Sequence, residues 1–234
     1  MENLEFGYWH IFEKEIAADK SLTYIRDYQG QEAIRLRITQ LDMTAKEQNQ
    51  IVNEWCKFLQ NEKTSIKKIF IGTRISQKIF DAICMQNQLE GLWIKWGVYP
   101  NIRNISKLGN LKYLHLGGGS SIDDISMVES LSQLITFESS HLYKISDYGF
   151  LAKLHNIIDL LIEGDPFGSM KKVKIKTLKF LEEMPQIVRL SLSMTSIDDH
   201  SYLPILKIKS LKYLDLPNDK DLDKDVHHFE KFLN

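Results

Sequence analysis

Two cysteines in 234 residues, Cys56 and Cys84, are too few for a disulfide framework or a cysteine-built metal cluster. Both fall inside apolar helical patterns, and two buried, reduced thiols are expected. Net charge is also missing, with 30 Lys+Arg against 31 Asp+Glu. A general nucleic-acid binder needs a basic face to neutralise phosphates, so that class is not expected. No stretch reaches the run of about 20 apolar residues that a membrane-spanning helix requires. The opening MENLEFGYWH has neither the basic nor the apolar stretch of a signal peptide. A cytoplasmic protein with no membrane partner is therefore expected. Sequence signatures of catalysis are absent as well: there is no GxSxG elbow, HExxH helix or CxxC pair. The chain is read as non-enzymatic and as needing no cofactor.

What is present is a repeat. The pattern apolar-x-x-apolar-x-apolar fits IKKIFI (66–71), LEGLWI (89–94), LKYLHL (111–116), LITFES (134–139), IIDLLI (157–162), IVRLSL (187–192) and LKYLDL (211–216). Of the 21 apolar slots only Ser139 breaks one, and the starts are spaced 23, 22, 23, 23, 30 and 24 residues. A steady period in the twenties is the mark of a solenoid, in which each short strand buries its face only by stacking on neighbours. A second apolar set follows the strands: Ile105 and Leu108; Ile122, Ile125 and Leu131; Ile145, Leu151 and Leu154; Leu178, Leu181 and Met184; Ile197, Leu203 and Leu206. These residues predict return legs made of turns or short helices.

The repeat resembles the leucine-rich repeat family, most closely its short bacterial, internalin-like form, over roughly residues 63–217. The resemblance implies an α/β leucine-rich repeat solenoid: a curved parallel β-sheet with helices or turns on the convex side and an α/β N-terminal cap. The family's asparagine at the strand turn is replaced here by Gly97, Gly119 and other residues, so a regular asparagine ladder is not expected. LHLGGGSS is read as a strand followed by its turn, with the glycines supplying positive φ. It has neither the Lys-Ser/Thr pair of a phosphate loop nor the spaced dinucleotide fingerprint.

Residues 1–62 form the expected N-terminal capping region, 63–217 the repeats and 218–234 a C-terminal capping helix, all in one continuous domain. AIRLRIT (33–39) alternates as a half-buried strand, and Leu22–Tyr28 is expected to pair with it as a hairpin. Thr44-x-x-Glu47 is a capping box opening a helix over 44–60, with Ile51, Trp55, Phe58 and Leu59 on one face. Ser76 is expected to cap a second helix carrying Ile79, Phe80 and Ile83. Phe6, Tyr8, Trp9 and Phe12 are read as packing over the open end of the stack. The wide spacing before the sixth repeat falls in EGDPFGSMKKVKIK (163–176), a basic surface loop. Near the C-terminus, Asp219, Asp221, Asp223, Asp225 and Glu230 stand at calcium-loop positions. Lys224 occupies the place of the required glycine, however, and the acids are read instead as favouring a helix dipole.

In the family the strands line a concave face, and side chains flanking the last two apolar strand positions point from it. The residues so placed that are expected to bind a protein are Phe70, Trp93, Lys95, Tyr113, His115, Glu138, Asp159, Glu163, Arg189, Tyr213 and Asp215. Seven strands at about 4.8 Å span about 30 Å, the scale of a protein patch rather than a metabolite cleft. The aromatics are of the type that dominates interfaces. Glu138, Asp159 and Glu163 form an acidic middle suited to a basic partner. The expected function is a protein–protein interaction module, monomeric or in a 1:1 complex. Its sharper form is a bacterial immunity protein that neutralises a basic toxin; a scaffold, an adaptor or a translocated effector are the alternatives.

Overall fold

The structure, a computed structural model, describes Gly7, Trp9, residues 21–217 and Phe229. Its strands are β1 (Ala33–Leu36), β2 (Lys68–Ser76), β3 (Gly91–Val98), β4 (Tyr113–Leu116), β5 (Thr136–Ser140), β6 (Asp159–Glu163), β7 (Val173–Ile175), β8 (Arg189–Ser191), β9 (Thr195–Ile197) and β10 (Tyr213–Asp215). Among the described residues, eight of them form one parallel sheet in the order β1-β2-β3-β4-β5-β6-β8-β10. All seven repeat windows lie in this sheet, and AIRLRIT adds the first strand ahead of them.

The first two return legs are helices. In α1 (Ala45–Asn61) the capping box forms as expected: Glu47 N donates to Thr44 Oγ1 at 3.3 Å and Thr44 N donates to Glu47 Oε2 at 2.9 Å. This helix buries Ile51, Trp55, Cys56 and Leu59, while Phe58 is half-buried, edge-on to Trp55 and Tyr28. In α2 (Gln77–Ile83), Ser76 holds the cap position but its side chain makes no capping hydrogen bond.

The later return legs are five-residue 3-10 helices, and their sequence explains the choice. Buried apolar residues recur every third position: Ile102, Ile105, Leu108; Ile125, Val128, Leu131; Tyr148, Leu151, Leu154; Leu178, Leu181, Met184; Tyr202, Ile205, Ile208. A 3-10 helix has three residues per turn, so this spacing puts one stripe against the sheet. The matching hydrogen bonds are present, as in Ile105 N to Ile102 O and Leu108 N to Ile105 O, both 2.9 Å. The last triplet corrects the expected set. Leu203 and Leu206 each stand one residue past a stripe position, so they turn outward and are 45 % and 37 % exposed.

Three further expectations change. Leu22 meets Leu36 in a parallel bridge, not a hairpin. Leu22 N donates to Arg35 O at 2.8 Å and Arg37 N to Leu22 O at 3.0 Å, after which a 3-10 turn at Ile25–Asp27 leads the chain away. The 163–176 insertion is not all loop: β7 within it pairs with β9 in a small second parallel sheet. Of Gly117, Gly118 and Gly119, only Gly118 has positive φ, at 55°. Gly117 is fixed by space, because a Cβ would come 2.2 Å from the Lys95 carbonyl oxygen, while at Gly119 it would press on the Leu142 side chain. His141 and Met194 adopt the same left-handed turn in later coils, so the glycines serve the turn of the repeat. Side-chain amides do tie coils together, but at the turn entering the strand: Asn110 Nδ2 donates to Asn87 O at 3.0 Å and Asn156 Nδ2 to Ser132 O at 2.9 Å.

Candidate binding site on the concave face

Parallel strands in register bring equivalent residues of successive coils side by side, about 4.8 Å apart. One such row runs Arg35, Phe70, Trp93, His115, Glu138 across β1 to β5. The Arg35 guanidinium lies 4.0 Å from the Phe70 ring centroid. Phe70 and Trp93 stack with centroids 3.9 Å apart, Trp93 and His115 with centroids 4.9 Å apart. His115 Nδ1 then meets Glu138 Oε2 at 2.9 Å. The result is a continuous cation–π–π–imidazole–carboxylate row held by strand register.

The neighbouring row runs Ala33, Lys68, Gly91, Tyr113, Thr136, Asp159, Arg189, Tyr213. Arg189 Nη1 lies 2.8 Å from Asp159 Oδ1 and 3.9 Å from Glu138 Oε1. This changes the picture of an acidic middle. Asp159 is wholly buried and Glu138 nearly so, and both face Arg189 or His115 rather than solvent. Glu163, on the same face, is pushed above the usual carboxylate range by burial. Of the remaining expected residues, Lys95 and Asp215 are exposed, and Trp93, Tyr113, His115, Arg189 and Tyr213 are half-buried. Ser191 Oγ donates to Asp215 Oδ2 at 2.8 Å.

Phe70 is buried, and Trp9 packs against it together with Arg35 and Trp93. Trp9 is 4 % exposed and packs with Phe70 against Ala33, Trp93 and Tyr113. It therefore sits on the concave face and not over the open end of the stack. Phe6, Tyr8 and Phe12 lie outside the described residues. Gly7 stands farther along the same face, beside Glu138 and Arg189. Arg35, Gly7 and Trp9 were not among the expected site residues. Arg35 does fall at the outward position of an alternating strand, and that signal could have found it.

No family model matches the chain, and no curated protein matches it. Solved structures do. A leucine-rich repeat protein of Leptospira interrogans superposes with a TM-score of 0.50 at 15 % identity, over 80 % of this chain and 43 % of that one. Internalin C2 of Listeria monocytogenes gives 0.48 at 17 % identity, over 71 % of this chain and 69 % of that one. The plant peptide hormone receptor RGFR1, in complex with RGF2, gives 0.44 at 15 % identity, over 66 % and 25 %. This chain has the leucine-rich repeat fold.

Cys56 and Cys84 are buried, and burial raises both pKa values, which disfavours the reactive thiolate. Among the described residues no group of three or more His, Cys, Asp or Glu side chains is arranged for a metal. Asp219, Asp221, Asp223, Asp225 and Glu230 lie outside them. No described helix is long and apolar enough to cross a membrane. In the insertion, the Asp165 carboxylate accepts hydrogen bonds from Gly168 N at 2.8 Å and Ser169 N at 2.6 Å, which fixes a tight turn. That turn holds Phe167 almost fully in solvent, next to the exposed Lys171, Lys172, Lys174 and Lys176.

Proposed function

We propose that this leucine-rich repeat protein is a non-catalytic interaction module that takes a protein partner on its concave face. The observation that carries the reading is the row from Arg35 to Glu138. Large side chains locked by register lose little freedom on binding, and aromatic and arginine residues are the usual anchors of protein interfaces. In its finer form the module is an immunity-type protein that occludes a toxin in a 1:1 complex. A scaffold, an adaptor and a translocated effector use the same face. The buried Asp159 and Glu138 already face Arg189 and His115, so recognition rests on the aromatic half more than on an acidic patch.

The test is capture of partners from the source organism's lysate with wild type and with Trp93→Ala/Tyr113→Ala, both checked for native circular dichroism. A protein held by wild type and lost by the variant supports the reading. Equal capture by both moves the site to the Phe167 insertion. A captured protein whose toxicity is suppressed by wild type alone supports the immunity form.

A further inference from the structure

We propose that the concave face is a peptide-recognition groove, held in cis by the chain's own Gly7 and Trp9, and that its partner inserts a segment of the same chemistry: a large aromatic side chain two residues after a glycine. The proposal rests on the concave face being the binding surface, and adds what that surface recognises and what guards it.

The groove has two distinct ends. At the aromatic end Gly91 forms the floor. A Cβ there would lie 3.3 Å from Trp9 Cη2 and 3.2 Å from Lys68 Cγ, so the missing side chain is what leaves room for the indole. Phe70, Trp93 and Tyr113 surround the ring, with Tyr113 edge-on at 6.5 Å. Offset and edge-to-face contacts of this kind select a large aromatic over an aliphatic residue. At the polar end Gly7 has φ of 82°, and a Cβ would fall 2.9 Å from Glu138 Oε1 and 3.1 Å from Arg189 Nη1. The positive φ favours glycine, and any side chain would press on the Glu138 and Arg189 head groups. The two ends thus read two different features, the glycine at 7 and the indole at 9.

Among the described residues, Trp9 packs on the strand face and not within the main core. The main core runs continuously from Ile34 to Phe229 and does not include it. Trp9 and Phe70 form a separate cluster on the concave face of the sheet. A tethered occupant competes at an effective concentration of about millimolar order. A partner must therefore outbid the cis segment, and loss of that segment leaves the face open.

The probe is a fluorescently labelled peptide of residues 1–20, added in trans to three full-length chains: wild type, Trp9→Ala, and Trp9→Ala/Gly91→Leu. Fluorescence anisotropy reads binding, and thermal unfolding reads integrity. The expected result is a peptide that binds the Trp9→Ala chain at least tenfold more tightly than wild type. The Gly91→Leu change, which fills the floor, should abolish that binding, as should Trp9→Ala within the peptide. Full-length Gly7→Val gives a second route, since it should free the groove while keeping the indole. A Trp9→Ala chain that no longer folds would make Trp9 a core element and overturn the proposal. Folded Trp9→Ala and Gly7→Val chains that bind the peptide no better than wild type would overturn it as well. No partner takes part in this experiment, so its failure leaves the lysate capture as a separate result, and the two readings can fall independently.

Discussion

Phe70 and Trp93 lie face to face, ring centroids 3.9 Å apart and planes 3° from parallel. They are direct register partners on β2 and β3, so the backbone ladder itself sets the stack. Trp9 closes over the same pair. The expected outcome of a double-mutant cycle on Trp9→Ala and Phe70→Ala, read by urea denaturation, is a coupling of about 0.5–1.5 kcal/mol. Strict additivity would show that the two rings do not act together.

Arg189 is the countercharge for a wholly buried Asp159. Replacing it with Met removes the 2.8 Å ion pair to that carboxylate and should cost about 3–5 kcal/mol. Replacing both, as Asp159→Leu/Arg189→Met, should recover most of the loss, because the penalty belongs to the buried charge. Chemical denaturation of the three variants at one pH checks the order.

Glu163 gives a pH signature. Burial raises its folded pKa above the ordinary value of 4.5, so the folded state holds the proton more tightly than the unfolded state. Its contribution favours folding below that ordinary value and is lost as pH rises through the folded pKa. Glu163→Gln should therefore stabilise the protein at pH 7 and leave it nearly unchanged at pH 4. Melting temperatures at the two values decide it.

Asp165 has the opposite sign. Hydrogen bonds from the Ser169 and Gly168 amides hold its pKa down to about 2. The turn is then fully supported above the ordinary value of 3.8 and loosens as pH falls toward about 2. Amide exchange at Gly168 and Ser169 should quicken over that interval. Asp165→Ala should show the fast rates already at neutral pH.

The three-residue stripe predicts which convex leucines matter. Ile105→Ala removes a fully buried stripe residue and should cost about 2–5 kcal/mol. Leu206→Ala removes an outward one and should change stability by about 0.5 kcal/mol or less. Equal losses would falsify the phase assigned to the last coil.

The strand side of each coil was readable from sequence because its signal is local and repeats in phase. Even Ser139, the one break in the pattern, stays buried in its slot. The convex side was read less well. Leu203 and Leu206 are apolar and near the right place, but only the triplet Tyr202, Ile205, Ile208 keeps the period of three, and one of its members is a tyrosine. The site divided in the same way. Strand register placed Phe70, Trp93, His115 and Glu138 in one row as the repeat implied. The pairing of Asp159 with Arg189 crosses the irregular 30-residue coil, and Trp9 reaches strands more than 50 residues away. Asp159 and Arg189 do share a slot in successive windows, whereas Trp9 belongs to no window and has no period to announce its contact. Gly91 was visible at an outward position, but only the Lys68 stem and the indole beside it explain the missing side chain.

Leu22 occupies part of the outer edge of β1 with two backbone hydrogen bonds. A bare strand edge invites another chain to continue the sheet. With the edge blocked at residue 22, a second copy could extend the ladder from β1 only by stripping that residue away. Sheet-to-sheet growth from this edge would have to begin by breaking those two hydrogen bonds.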